Sequence, residues 1–151
     1  MKLSHSRASL MRAAGATVVA TATLAAGLPG IAHAAPADPG DRTVSVTVKN
    51  HTSVRLNLDE ADVTEGDWTL DPPGSIKAFK VVHFGSVSTD FEGGTEANVS
   101  FRTKFGMVEL YWSDPWEIDN DFTCDTPPEL SCQIDSDLGP NARATFDLFE
   151  N

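Results

Sequence analysis

Apolar and polar residues alternate over short stretches from about residue 42 onward. In the first stretch, Val44, Val46 and Val48 share one face while serine and threonine occupy the other. A period of two is typical of a half-buried β-strand. Residues 54–58 repeat the pattern, and the polar residues 50–53 between the two stretches predict a turn. The sequence therefore predicts a β-hairpin at the start of the domain.

Six further runs are short, β-prone and bounded by Gly, Pro, Asn or Asp. They are residues 76–84, 98–103, 107–112, 122–124, 130–134 and 142–149. Between the hairpin and these runs, Pro72-Pro73 excludes a central strand. The last run alternates so strictly that we expect it to close a sheet. About eight short strands, without helical periodicity, predict an all-β fold: a single-domain antiparallel β-sandwich.

The N-terminus has the pattern of an export signal. Three basic residues precede an apolar stretch at 13–28, and the small residues of Ala32-His33-Ala34 follow. The stretch is shorter than the roughly 20 residues that span a bilayer. We therefore predict a cleavable signal peptide at residues 1–34, a flexible Ala/Pro/Asp-rich leader at 35–41 and the folded domain at 42–151, in a secreted, extracellular protein.

The charge of the predicted mature chain is strongly negative. The whole sequence carries −11, and removal of residues 1–34 leaves eight basic residues against 22 acidic ones, a net charge of −14. Such a surface is repelled by the phosphates of nucleic acids and by anionic lipid headgroups. The composition therefore excludes nucleic acid as an expected partner.

Both cysteines, Cys124 and Cys132, lie in the predicted mature chain. An even count in an exported protein indicates a disulfide. Their spacing, without a nearby histidine, suits neither a zinc site nor a Cys-His nucleophile. We predict a structural disulfide that contributes about 2.5 kcal/mol by loop closure.

The sequence contains few residues that could act in catalysis. Only His51 and His83 follow the signal peptide, and 22 acidic residues make close carboxylate pairs expected by chance. We expect no enzyme and no cofactor. Oxygen ligands are dense over residues 114–125, but the stretch lacks the glycine of a calcium loop. We assign no metal site there and keep a calcium-stabilised loop as an alternative.

The aromatic residues Tyr111, Trp112 and Trp116 lie at the end of one predicted strand and in the turn after it. Neighbours in a strand face opposite ways, so at least one of the first two rings is expected to leave the core. Exposed tryptophan and tyrosine side chains stack on ligands or settle at membrane interfaces. The alternative is that both tryptophans pack under loops at the end of the sandwich.

The order of several motifs resembles that of the aegerolysin-like family over most of residues 42–151. These motifs are Asn50-His51-Thr52, Gly66-Asp67-Trp68 before Pro72-Pro73, Ile76, Gly93-Gly94-Thr95-Glu96, and Trp112-Ser113-Asp114-Pro115-Trp116 followed by Asn120 and Phe122. The resemblance implies a small acidic β-sandwich related in shape to actinoporin-like cytolysins. It also implies recognition of membrane lipid and, in some members, a toxin that permeabilises membranes with a larger pore-forming partner protein.

The net charge limits which lipid headgroups the protein is expected to bind. At −14, the expected lipid has a neutral, zwitterionic or sphingolipid headgroup. We predict that the rings of Tyr111, Trp112 and Trp116 grip the lipid, while Asp114 and Glu117 accept hydrogen bonds from an ammonium group. The alternative function is a secreted, non-catalytic interaction module that is sugar-binding, inhibitor-like or stabilised by calcium.

Overall fold

A computed structural model describes residues 42–151. The predicted signal peptide and leader lie outside the described residues. Within this range the chain forms ten β-strands. They are β1 (Thr43–Asn50), β2 (Leu56–Glu65), β3 (Asp67–Leu70), β4 (Ser75–Ile76), β5 (Val81–Val87), β6 (Thr95–Arg102), β7 (Met107–Asp114), β8 (Asp121–Asp125), β9 (Leu130–Ser136) and β10 (Asn141–Glu150).

The strands form two five-stranded sheets that enclose one core. The first sheet has the order β3-β5-β1-β10-β9, and the second has the order β4-β2-β6-β7-β8. Alternate residues of β1, β6, β7 and β10 are buried, as the period-two pattern predicts. The largest fully buried side chains are Trp112, Phe101, Phe146, Leu56, Ile76, Leu110 and Leu148. The prediction of an all-β sandwich is confirmed, with ten strands instead of eight.

The first sheet is not wholly antiparallel. Strands β1 and β10 run parallel, with Val44 opposite Ala142 and Val48 opposite Phe146. The antiparallel prediction is therefore wrong at this pair. Alternation shows which face of a strand is buried, and this signal is the same for both strand directions. Strand β10 is part of the sheet, as predicted, and it is paired on both sides, with β1 and with β9.

The predicted hairpin of residues 44–58 is also wrong, because β1 and β2 belong to different sheets. Residues 51–55 cross from one sheet to the other. The buried Asn50 side chain holds this crossing, since its Nδ2 donates to the carbonyl oxygens of Val54 at 2.8 Å and Lys77 at 3.0 Å. Asn50 Oδ1 also accepts from the Thr52 backbone nitrogen at 3.0 Å, so the polar stretch does form a turn, but a turn of this kind does not show which strands pair.

Two further boundaries differ from the prediction. The run 76–84 divides into β4 and β5 at Phe79, whose φ is +57°. Strand β3 forms between the predicted hairpin and the predicted run 76–84, where no strand was predicted, and it begins directly after Gly66 at φ +96°. A Cβ at Gly66 would lie 2.2 Å from the carbonyl oxygen of Val87. Only glycine therefore lets the chain turn this closely into β3.

The predicted disulfide is confirmed. Cys124 on β8 and Cys132 on β9 are bonded, with Cα atoms 6.2 Å apart. These strands are edges of different sheets, so the bond ties the two layers together on one side. A disulfide is consistent with an extracellular location. In the range 42–151, no helix has the length and apolar character needed to cross a membrane.

Candidate functional site

Three loops meet at one end of the sandwich, and we call them the loop end. They are residues 88–94 between β5 and β6, 115–120 between β7 and β8, and 137–140 between β9 and β10. The rings of Phe91 and Trp116 join the first two loops, with centroids 6.3 Å apart. Asn120 Nδ2 donates to the Gly139 carbonyl oxygen at 3.1 Å and joins the last two.

Each of these loops exposes one large apolar side chain. The exposed fractions are 79% for Phe91, 72% for Ile118 and 69% for Leu138. Single exposed apolar residues are common on proteins and need no explanation. Three of them on adjoining loops are candidates for contact with a ligand, a partner or a membrane.

Acidic residues are the sequence neighbours of these exposed apolar residues. The three loops contain five carboxylates and no lysine or arginine; the carboxylates are Asp90, Glu92, Glu117, Asp119 and Asp137. All five residues are exposed. The loop end therefore exposes apolar side chains together with negative charge, and the charge opposes approach to an anionic surface.

Arg42, which directly precedes β1, holds the start of loop 115–120. Its guanidinium donates to Asp114 Oδ1 at 3.0 Å and to the Trp116 carbonyl oxygen at 2.6 Å. It also lies 5.4 Å from the centroid of the Trp116 ring, within cation–π distance. Trp116 is thus half-buried and held in place by a charged group that the loop itself does not supply.

Asp114 is fully buried, so the prediction that its carboxylate accepts bonds from an exposed headgroup is wrong. Burial raises the pKa of Asp114, and the hydrogen bond and charge of Arg42 oppose that rise. Asp114 Oδ2 and Arg42 Nε are buried without a hydrogen-bond partner among the described residues. Because Arg42 bonds both to Asp114 and to the Trp116 carbonyl oxygen, the Arg42–Asp114 pair holds the start of loop 115–120 in place.

The raised pKa of Asp114 predicts a measurable pH dependence. The Asp114 carboxyl group stays protonated up to a higher pH in the folded protein than in the unfolded chain, where its pKa is near 3.8. The contribution of Asp114 to the free energy of unfolding should therefore fall as pH rises from below 3.8 through the raised pKa. Urea unfolding of the wild type and Asp114→Asn over this window should show the wild type losing stability relative to the variant as pH rises. If the free energy of unfolding of the wild type instead rose relative to that of Asp114→Asn as pH increased, this assignment would be contradicted.

Trp112 lies in the core, and the prediction that it reaches solvent is wrong. Its ring is fully buried and packs at 5.9 Å from Trp68 and 6.0 Å from Phe84, measured between centroids. Its indole nitrogen donates to Ser86 Oγ at 2.8 Å. Tyr111 faces the opposite side, as strand geometry requires, and is half-buried on the outer face of the second sheet.

Of the five residues predicted to bind lipid, only Trp116 and Glu117 belong to the loop end. The sequence reasoning missed Phe91, Ile118 and Leu138. A signal for them exists, because each has at least one acidic neighbour, as in Asp-Phe-Glu at 90–92 and Glu-Ile-Asp at 117–119. Phe91 has no apolar residue two positions away, whereas Ile118 follows Trp116 with the spacing of a strand and gives a weaker signal.

The described residues contain no group of three or more His, Cys, Asp or Glu side chains placed to hold a metal ion. The calcium alternative therefore has no candidate ligand set in this part of the chain. A shallow groove of about 320 Å³ lies on the second sheet instead, and it is lined by Glu60, Asp62, Asn98, Val99, Ser100, Glu109 and Leu110.

The fold and the loop end define a small β-sandwich protein with exposed apolar side chains at one end. No protein-family model and no curated protein sequence matches the chain. Among solved structures, the chain is similar to the crystal structure of the lipid binding protein Nakanori, with a TM-score of 0.61 and 12% sequence identity. The match covers 71% of this chain and 70% of that one. At this identity the likeness shows a shared fold.

Proposed function

We propose that the protein recognises neutral or zwitterionic membrane lipid through its loop end. The observation that carries the proposal is the exposure of Phe91, Ile118 and Leu138 on three adjoining loops. The similar fold of a protein described as lipid-binding supports it. The resemblance to the aegerolysin-like family points the same way, and membership of that family stays a prediction.

The apolar tips can supply useful affinity. Full transfer of a large apolar side chain from water gains about 1.5–3 kcal/mol. Three side chains that enter the interfacial region therefore supply several kcal/mol, which corresponds to dissociation constants between about millimolar and micromolar. The contact resembles that of a monotopic protein, which inserts apolar groups into the boundary between headgroups and acyl chains.

The loop-end carboxylates select the headgroup. Five negative charges beside the tips repel anionic lipids, whereas a zwitterionic headgroup offers an ammonium that they attract. We assign Glu117 as an acceptor for this ammonium. Because Arg42 already lies against Trp116, we assign the ring to the ordering of loop 115–120 and the lipid contact to Phe91 and Ile118. Tyr111 lies on the sheet face and stays outside this contact.

Co-sedimentation of the purified protein with lipid vesicles tests the proposal. We expect binding to phosphatidylcholine vesicles or to vesicles that also contain sphingomyelin. Replacement of part of the neutral lipid by phosphatidylserine should weaken binding, since the headgroup charge then has the same sign as the loop end. Failure to bind any neutral composition would overturn the proposed function.

The finer parts of the functional prediction stay predictions. They are export by a signal peptide, permeabilisation, toxicity, a larger pore-forming partner and the absence of catalysis. The alternative of a sugar-binding module has one specific observation in its favour. The groove on the second sheet carries the carboxylates of Glu60 and Glu109 beside polar Asn98 and Ser100, groups that bind sugar hydroxyls. A glycan array would favour this alternative if it showed binding that Glu109→Ala abolished while vesicles bound nothing.

A further inference from the structure

Arg42 and Thr43, at the start of β1, together contact all three loops of the loop end. The Ser88 backbone nitrogen, where the β5–β6 loop begins, donates to the Arg42 carbonyl oxygen at 2.8 Å. The Thr43 backbone nitrogen donates to the carbonyl oxygen of Pro140, where the β9–β10 loop ends, at 2.9 Å. The Arg42 guanidinium donates to the Trp116 carbonyl oxygen in the β7–β8 loop. The start of β1 therefore connects three loops that are far apart in the sequence.

The link to the β7–β8 loop is made by the side chain of Arg42. Its Nη1 bonds to Asp114 and its Nη2 to the Trp116 carbonyl oxygen, so one planar guanidinium reaches two acceptors at once. The side chain of Arg42 is 15% exposed and that of Asp114 is fully buried. Hydrogen bonds shielded from water in this way are electrostatically stronger than bonds at the surface.

The hold on Trp116 extends to the β5–β6 loop. The Trp116 ring lies close to the Arg42 guanidinium, and its centroid is 6.3 Å from that of Phe91. The β5–β6 loop is also closed at its far end, where the Gly94 backbone nitrogen donates to Glu65 Oε1 at 2.7 Å. Phe91 is therefore held by its own loop and by a ring that Arg42 contacts.

We propose that Arg42 is the positioning residue of the loop end, whose side chain orders the loops that carry Phe91 and Ile118 before lipid is bound. Its guanidinium is directed at Asp114 and at the Trp116 backbone, so it acts through these groups and not by contact with lipid. A loop that is already ordered loses less conformational freedom on binding, and more of the contact energy then appears as affinity. The effect on affinity rests on the proposed function, whereas the ordering of the loops is a property of the free protein.

Hydrogen exchange of the free protein tests the ordering. All compared proteins carry Asp114→Asn, so that removal of Arg42 leaves no buried carboxylate without its partner. In this reference, Arg42→Met should make peptides that cover loops 88–94 and 115–120 exchange at least about threefold faster, because local opening becomes easier. Unchanged exchange in both loops would overturn the inference.

Arg102→Met in the same reference is the matched control. It makes the same change in charge and also removes a bond from a guanidinium to an aspartate, Asp59, but it lies on β6 outside the three loops. Exchange in loops 88–94 and 115–120 should equal that of the reference. Equal acceleration by Arg102→Met and Arg42→Met would show a general effect of charge and would overturn the inference.

A double-mutant cycle on phosphatidylcholine–sphingomyelin vesicles tests the effect on affinity. Arg42→Met should weaken partition of the reference protein at least about threefold. When Phe91→Ser and Ile118→Ser are already present, Arg42→Met should have little further effect, because the side chains that it positions are gone. Losses that simply add would show that Arg42 affects binding by another route and would overturn its positioning role.

The two measurements distinguish this inference from the proposed function. Binding by the reference that Arg42→Met does not weaken would overturn the inference and leave lipid recognition standing. Faster exchange in the Arg42→Met protein, without binding of any of the proteins to neutral vesicles, would overturn the proposed function and leave only the ordering of the loops.

Discussion

Replacement of Trp112 by alanine is expected to lower the free energy of unfolding by about 3–5 kcal/mol. The side chain is fully buried between the sheets and packs against Trp68 and Phe84. Its removal leaves a cavity and takes from Ser86 Oγ the indole donor at 2.8 Å. A domain of this size is stable by about 5–15 kcal/mol in total, so the variant should be marginally folded or unfolded at 37 °C.

Guanidinium unfolding of three variants measures this effect. Trp112→Phe keeps most of the ring packing and should lose less than the alanine variant, in part through the missing bond to Ser86. Trp116→Ala is the matched control, because it removes the same side chain from a half-buried loop position. Equal losses for Trp112→Ala and Trp116→Ala would contradict the placement of Trp112 in the core.

The contrast between the two tryptophans shows what local sequence can resolve. Parity along β7 puts Trp112 and Asp114 on the same face as Val108 and Leu110, and all four are buried. This signal was present in the sequence. The nearness of Trp112 to an aromatic turn suggested exposure, but strand parity was the stronger physical constraint.

The fold class followed from alternation, whereas pairing did not. Strands β1, β7 and β10 could be predicted from the sequence because one face of each is buried and its apolar residues alternate with polar ones. Their partners depend on connections, and the crossing at 51–55 is decided by the side chain of Asn50, which bonds to Lys77 far along the chain. Long-range contacts of this kind cannot be inferred from a local window of residues.

The apolar tips could be predicted only in part. Phe91 and Ile118 each lie between two acidic residues, but the sequence does not show that their loops adjoin. That follows from the order of the strands. The role of Arg42 could not be predicted either, since it depends on a contact with Asp114, 72 residues away in the sequence.

The largest effect on function is expected from Phe91→Ser combined with Ile118→Ser. Loss of two apolar tips should weaken partition onto neutral vesicles by at least about tenfold, because 1.4 kcal/mol corresponds to tenfold in affinity and each side chain contributes about that much or more. Both side chains are more than two-thirds exposed in the folded protein, at 79% and 72%. The melting temperature should therefore change little.

Phe79→Ser combined with Val81→Ser is the matched control, because it removes exposed apolar side chains from the end of the sandwich opposite the loop end. The decisive measurement is the partition coefficient of both double variants and the wild type on phosphatidylcholine–sphingomyelin vesicles, determined by co-sedimentation. Our account predicts that the loop-end variant binds at least about tenfold more weakly than wild type, while the Phe79→Ser/Val81→Ser variant binds like wild type. Undiminished binding by the loop-end variant, or a loss confined to the Phe79→Ser/Val81→Ser variant, would contradict the assignment of lipid recognition to Phe91 and Ile118.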